Sequence, residues 1–139
     1  MKILTEKLTV DTKGNCDIVN ITDEVQSFIS KRKISEGNVT VFVVGSTAAI
    51  STIEYEPGLK KDIPQILDKL IPSRQKYFHN DTWGDNNGHA HIRSTLFGSS
   101  QTIPFLNGEL LLGTWQQIVL LDFDERPRVR KVIIQIIGE

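Results

Sequence analysis

The chain opens on a loose two-residue alternation, Ile3, Thr5, Lys7 and Thr9 against Leu4, Leu8 and Val10, which predicts a strand over residues 2–10. Lys13-Gly14-Asn15 reads as a turn and residues 16–20 as a short second strand, so a hairpin is expected here. The period then lengthens. Thr22 stands before Asp23 and Glu24 as a candidate N-cap, Val25, Phe28 and Ile29 form an apolar stripe, and Gly37-Asn38 gives a stop signal. Residues 39–44, Val-Thr-Val-Phe-Val-Val, form a continuous run that predicts a strand buried on both faces. A more alternating strand follows over 51–55, and Pro57-Gly58 breaks it. Ile63, Ile66, Leu67 and Leu70 recur at helical spacing and predict a core-facing helix over 59–70, with Pro64 in its first turns where the missing N–H costs least.

Hydrophobic periodicity disappears over residues 72–91, where Asn, Asp and Gly crowd together and a long loop is expected. Tyr77, Phe78 and Trp83 argue that this loop is ordered, because disordered segments rarely keep aromatics. A short helix over 91–97 is stopped by Gly98. Asn107-Gly108 between the apolar runs 102–106 and 109–112 signals a tight hairpin, and strands over 116–123 and 129–137 complete the chain. Strands and helices do not alternate strictly. The expected fold class is therefore α+β: a largely antiparallel, β-sandwich-like core with two main helices and a short third one, in a single domain over 1–139.

Composition narrows the partners. Sixteen basic residues face seventeen acidic ones, a net charge of -1. The basic excess that phosphate contacts demand is missing, so no nucleic acid partner is expected. The single cysteine, Cys16, excludes an intrachain disulfide and a cysteine metal cluster and suits a reducing compartment. No apolar run approaches the roughly 18 residues that span a bilayer, and charges occupy the first residues where a signal peptide needs apolar ones. The expected location is cytoplasmic, away from any membrane.

Candidate chemistry concentrates in the polar segment. His79, His89 and His91 are the only histidines, and they are interleaved with Asp81, Asp85, Asn86 and Asn87. Imidazoles beside carboxylates suit acid–base work or a borderline metal ion such as Zn²⁺. His89 and His91 share a side if their segment is a strand and face apart if it is a helix, so the spacing leaves metal binding and a solvated polar loop both open. Ser46 and Thr47, in the glycine-led stretch after the strand at 39–44, offer hydroxyls and backbone N–H groups to a phosphate, or simply form a strand-to-strand turn. Glu54 and Glu56 flank Tyr55 and could share a metal, or lie on a solvent face. Thr114, Trp115 and Gln116 could orient a ring-bearing ligand, and Arg93 suits an anionic group.

The segments Asn87-Gly88-His89-Ala90-His91, Leu96-Phe97-Gly98, Ile103-Pro104, Gly113-Thr114-Trp115-Gln116 and the closing Arg130-Lys131-Val132 resemble, in this order, the signature of the YjbQ-like family. The resemblance runs from the first strand to the last residue. It implies a compact α+β unit assembled as a homotrimer, with sites near subunit boundaries. Some members resemble thiamine phosphate synthase in activity, joining hydroxymethylpyrimidine diphosphate to thiazole phosphate as a secondary task. By that resemblance His91 is the strongest site candidate, with Asp85, Asn87, Thr114, Gln116 and His79 at matching positions and Glu54 at an acidic one. Three functions are thereby expected as alternatives. The first is a Mg²⁺-dependent transferase, in which Asp85 and Glu54 hold metal, His91 and Arg93 hold phosphate, and Trp115 or Trp83 shields the ring. The second is a zinc hydrolase built on His79, His89, His91 and Asp85. The third is a non-catalytic trimer that binds a small anionic or phosphorylated molecule.

Overall fold

The computed structural model describes residues 1–139. Eight strands and four helices follow in the order β1 (Lys2–Thr12), β2 (Asp17–Asn20), α1 (Thr22–Arg32), β3 (Glu36–Val44), β4 (Ala48–Glu54), α2 (Pro57–Leu70), α3 (Phe78–Trp83), α4 (Gly88–Phe97), β5 (Ser100–Leu106), β6 (Glu109–Leu110), β7 (Gln116–Asp122) and β8 (Arg128–Gly138). Every strand pairing is antiparallel, and the strands form a large sheet, β1-β8-β3-β5-β6, and a small one, β2-β7-β4. The fold is α+β.

Burial explains the layering. The large sheet turns one face inward through Val39, Val41, Val43, Val132, Ile134 and Ile136, and this face packs against Ala48, Ile50, Ile118 and Leu120 of the small sheet. The other face of the small sheet, Ala49, Val119 and Leu121, meets Leu67 of α2 and Ala90 of α4. The small sheet is thus covered on both sides. Helix α1 adds Val25, Phe28 and Ile29 to the core between the sheets.

Several expectations are corrected. The continuous run at 39–44 is not buried on both faces: it alternates, with Phe42 and Val44 exposed. The strand buried on both faces is β7, where Ile118 through Asp122 are all buried, because it lies at the centre of the middle layer. Residues 2–20 form no hairpin, since β1 pairs with β8 and β2 with β7 in the other sheet. Three consecutive residues with positive φ, Gly14, Asn15 and Cys16, turn the chain from one sheet to the other. Helix α1 stops at Lys33, whose φ is 53°, and Gly37 lies inside β3. Thr22 does not cap α1. Its hydroxyl donates to Asn20 Oδ1 at 2.7 Å and accepts from the Ile118 amide at 2.9 Å, tying the helix to β7.

Of the stripe on α2 only Leu67 is buried; Ile66 and Leu70 are exposed because the helix lies at the rim of the fold. The expected long loop holds α3 and the first turn of α4, which raises the helices to four. Helix α3 buries no residue, so it left no hydrophobic period to read. The hairpin at Asn107-Gly108 is present, with φ of 54° and 75° as its turn type requires.

Candidate active site

One end of the small sheet carries the polar chemistry. Asp122, fully buried at the end of β7, accepts two parallel bonds from Arg130, Nε to Oδ2 and Nη2 to Oδ1, each 2.7 Å. The Thr12 hydroxyl donates to the same carboxylate. Two residues on, the buried Asp124 accepts from Thr47 Oγ1 at 3.0 Å and from Arg128 Nε at 2.9 Å. Arg130 Nη2 also donates to Thr47 Oγ1 at 2.7 Å, so the hydroxyl joins the two ion pairs. Burial alone would raise the pKa of Asp124. The Glu125 amide, Arg128 and Thr47 together outweigh it and hold the carboxyl below its usual value.

The polar segment folds onto this base. The side chain of Asn80 on α3 accepts from the Gly88 amide at 2.9 Å, which fixes the start of α4. A Cβ at Gly88 would stand 2.6 Å from Tyr77 Cβ, so only glycine lets α3 and α4 approach this closely. The result places the His79 and His91 rings with centroids 4.2 Å apart, tilted by 48°. Asp85 Oδ2 is 3.6 Å from His79 Nε2. With its nitrogen turned to this side, the Asn87 amide donates to His79 Nε2 at 3.1 Å and to both Asp85 oxygens at 3.2 and 3.3 Å. The opposite orientation offers that nitrogen only Asp124 Oδ1 at 3.4 Å, so the first orientation is the better satisfied. Partial burial and the neighbouring His79 lower the pKa of His91, against a smaller upward pull from Asp124 and Asp85. His91 is therefore a neutral imidazole at neutral pH, able to take a proton.

The helix divides the expected site residues. His91 lies on one side of α4, while His89 and Arg93, four residues apart, share the buried opposite side. The expected metal set of His79, His89, His91, Asp85 and Glu54 does not gather. His89 faces away, and Glu54 lies at the far end of β4. No three His, Cys, Asp or Glu side chains group closely enough to hold an ion. Arg93 likewise cannot share an anion with His91, since its Nε and Nη2 donate to the Ile71 carbonyl on the other side.

Thr47 is no phosphate cradle, because its hydroxyl is committed to Asp124 and Arg130; Ser46 is exposed beside it. Glu56 is no partner of Glu54: its carboxylate caps α2 through the amides of Gly58 and Leu59. Gln116 pairs with Glu54 and Asp122 with Ala48, so Thr114, Trp115 and Gln116 lie about 20 Å from the histidines, the length of β4. There Thr114 and Trp115, with Glu54, Tyr55 and Gln117, line a separate cavity of about 380 Å³. Gln116 is held to Gly113 N and Thr52 Oγ1, both at 3.0 Å. Sequence reasoning overlooked Asp122, Asp124, Arg128 and Arg130. Their one signal was charges two residues apart, breaking into apolar strands on both sides of a turn.

A family model described as "UPF0047 protein YjbQ-like" matches residues 6–139. The chain belongs to the YjbQ-like family. A UPF0047 protein of Archaeoglobus fulgidus is 39% identical over 129 residues, 93% of this chain and 98% of that one. The UPF0047 protein YugU of Bacillus subtilis is 32% identical over 97% of this chain and 100% of its own. Among solved structures, a YbjQ-like protein of unknown function from Sulfolobus solfataricus P2 superposes with a TM-score of 0.94 at 34% identity, covering 99% of both chains. A YjbQ/UPF0047 protein from Clostridium acetobutylicum superposes at 0.87 with 38% identity over 95% of this chain and 99% of that one. The segment Gly88-His89-Ala90-His91 of this YjbQ-like chain has a physical division of labour. Its glycine admits α3, His91 faces the Asp124 side and His89 is packed inward. No helix of this YjbQ-like chain is long and apolar enough to cross a membrane.

Proposed function

We propose that the His79–His91 pair is an acid–base centre acting on a small anionic or phosphorylated molecule, with His91 as the group that accepts and returns the proton. The observation that supports this is the 4.2 Å contact between the two imidazoles, backed by Asp85 at 3.6 Å from His79. Two imidazoles this close do not readily both become charged, so His79 disfavours a proton left on His91 and helps return it to substrate. Asn87 and Asp85 orient His79, and the ion pairs of Asp122 and Asp124 give the centre a rigid floor. This is the architecture that proton transfer to or from a bound substrate needs.

The thiamine phosphate-forming reaction rests on the family resemblance. Its diphosphate would have to find cations other than Arg93, which faces away from His91. Zinc hydrolysis would need three protein donors around one ion, a grouping that His79, His91 and Asp85 do not form. Assembly as a homotrimer is supported by the half-exposed Phe42, Val44, Leu106 and Ile137 on the outer face of the large sheet. A cytoplasmic location is supported by the free, buried thiol of Cys16.

Turnover tests the proposal. Wild type and His91→Asn are compared on a panel of small phosphorylated and carbonyl compounds, including the pyrimidine diphosphate and thiazole phosphate pair with Mg²⁺. The variant is expected to lose about 10²–10⁴-fold of any activity found. A variant that keeps the wild-type rate, or a wild type inert toward the panel yet binding one of its members, refutes the catalytic role and leaves a binding protein.

A further inference from the structure

Arg93 is 4% exposed, yet no carboxylate lies within ion-pair distance of it, whereas Arg128 and Arg130 each grip an aspartate. Guanidinium keeps its charge at neutral pH, and a buried charge is ordinarily paired. One edge of the group caps α2: Nε and Nη2 donate to the Ile71 carbonyl at 3.1 and 2.7 Å. The remaining amino group, Nη1, has no partner in the protein.

Arg93 and His89 line an open cavity of about 290 Å³ between the turn before β2, helix α2 and helix α4. His89 is 3% exposed, and its Nδ1 is the one buried side-chain polar atom left without a hydrogen bond. Desolvation, then the charge of Arg93, lowers the pKa of His89 against smaller upward pulls from the Asn86 and Phe123 backbone and from Asp124. The ring stays neutral, and neither backbone contact has the geometry of a hydrogen bond to Nδ1. Cys16 cannot supply the missing negative charge, because burial pushes its thiol up to about 11. The cavity's carboxylate, Asp68, is exposed at the rim and acts on Arg93 only from beyond ion-pair distance. Asn15, Gln65 and Ser73 add further donors.

We propose that this cavity is a binding site for a phosphate group, free or at the end of a small metabolite, with Arg93 as its counter-charge and His89 as a donor. It stands on the opposite side of α4 from the His79–His91 centre and does not depend on that centre's activity. A phosphate would pair the one buried cation that lacks an anion, and would offer acceptors to Nη1 and to the imidazole.

The test is a titration of the ¹⁵N-labelled full chain with inorganic phosphate at fixed ionic strength, followed through backbone amides. Saturable shifts centred on Asn15, Cys16 and Ser73 are expected. Arg93→Lys should weaken binding about tenfold by losing the forked contact. His91→Asn should leave the affinity unchanged. Should Arg93→Lys fail to fold, the wild-type map decides alone. Shifts that rise without saturating, or that centre on His79, Asp85 and His91, overturn the proposal, as does a folded Arg93→Lys that binds like wild type. A parallel titration with glycerol 3-phosphate separates the sources: tighter binding than inorganic phosphate assigns a metabolite's terminal phosphate, and weaker binding assigns free phosphate.

Discussion

At the scale of single residues, the molecule keeps costly groups where a stability-driven chain would not. His89 is buried with an unpartnered nitrogen, and its pKa is lowered first by burial and then by Arg93. An unfolded chain takes up a proton on histidine near pH 6.5, whereas the folded chain holds His89 and His91 neutral to lower pH. The unfolded state therefore binds more protons in acid. The stabilising effect is complete above about pH 6.5 and is lost as pH falls toward the folded values. Asp124, whose folded pKa is also lowered, extends the loss to more acidic pH. His89→Leu should keep or raise stability at pH 7, since it removes an unpaired buried polar atom, and should flatten the decline between pH 7 and 5. Urea midpoints at the two pH values check this, and an unchanged decline would contradict it. Which residues carry such roles was only partly legible. His91, His79, Asp85 and Asn87 stand together in the chain and in space. Asp122 and Asp124 meet Arg130 and Arg128 across the short turn that carries the chain from β7 to β8 in the other sheet, and their alternating charges gave only a faint local signal of it.

At the scale of elements, the readable ones are those whose own residues decide them. The Asn107-Gly108 turn has both residues at positive φ, and its hairpin could be read directly. Strands β1, β7 and β8 have long apolar periods, and they too were legible. Pairing partners were not. The Gly14-Asn15-Cys16 turn looks like a hairpin loop, but the β1 partner, β8, lies at the other end of the sequence. The strand at 39–44 is apolar on both faces although only one is covered in the single chain. Helix α4 shows why the site was half-read. A repeat of two, His89-Ala90-His91, suggested a shared ligand, whereas the helical period sends the two rings to opposite sides and joins His89 to Arg93 instead.

At the scale of the whole molecule, the large sheet turns an outer face with a polar centre and apolar flanks toward its surroundings. Thr40 bonds to Thr102 and Gln135 to Thr5 across it, with Phe42, Ile133 and Val44 on one side and Ile3, Ile137 and Leu106 on the other. Such a face in a chain of this size suits association with other copies. Association would also explain why a strand exposed on one side has an apolar sequence on both. Sedimentation equilibrium should give three times the 15.7 kDa chain mass, and Phe42→Lys should shift the population toward the single chain. A wild type that sediments as one chain would refute assembly. Thr114 and Trp115, about 20 Å from the histidines, belong to a separate cavity of the same chain.

The central claim, a coupled imidazole pair poised for proton transfer, is tested most directly by NMR titration of the histidine ring signals in wild type and His79→Gln. His91 should titrate below the usual histidine value in wild type, and its pKa should rise once His79 is replaced, because a neighbouring imidazole that repels its proton has been removed. A His91 that titrates at the ordinary value, indifferent to the His79 substitution, would contradict the pairing and with it the acid–base assignment.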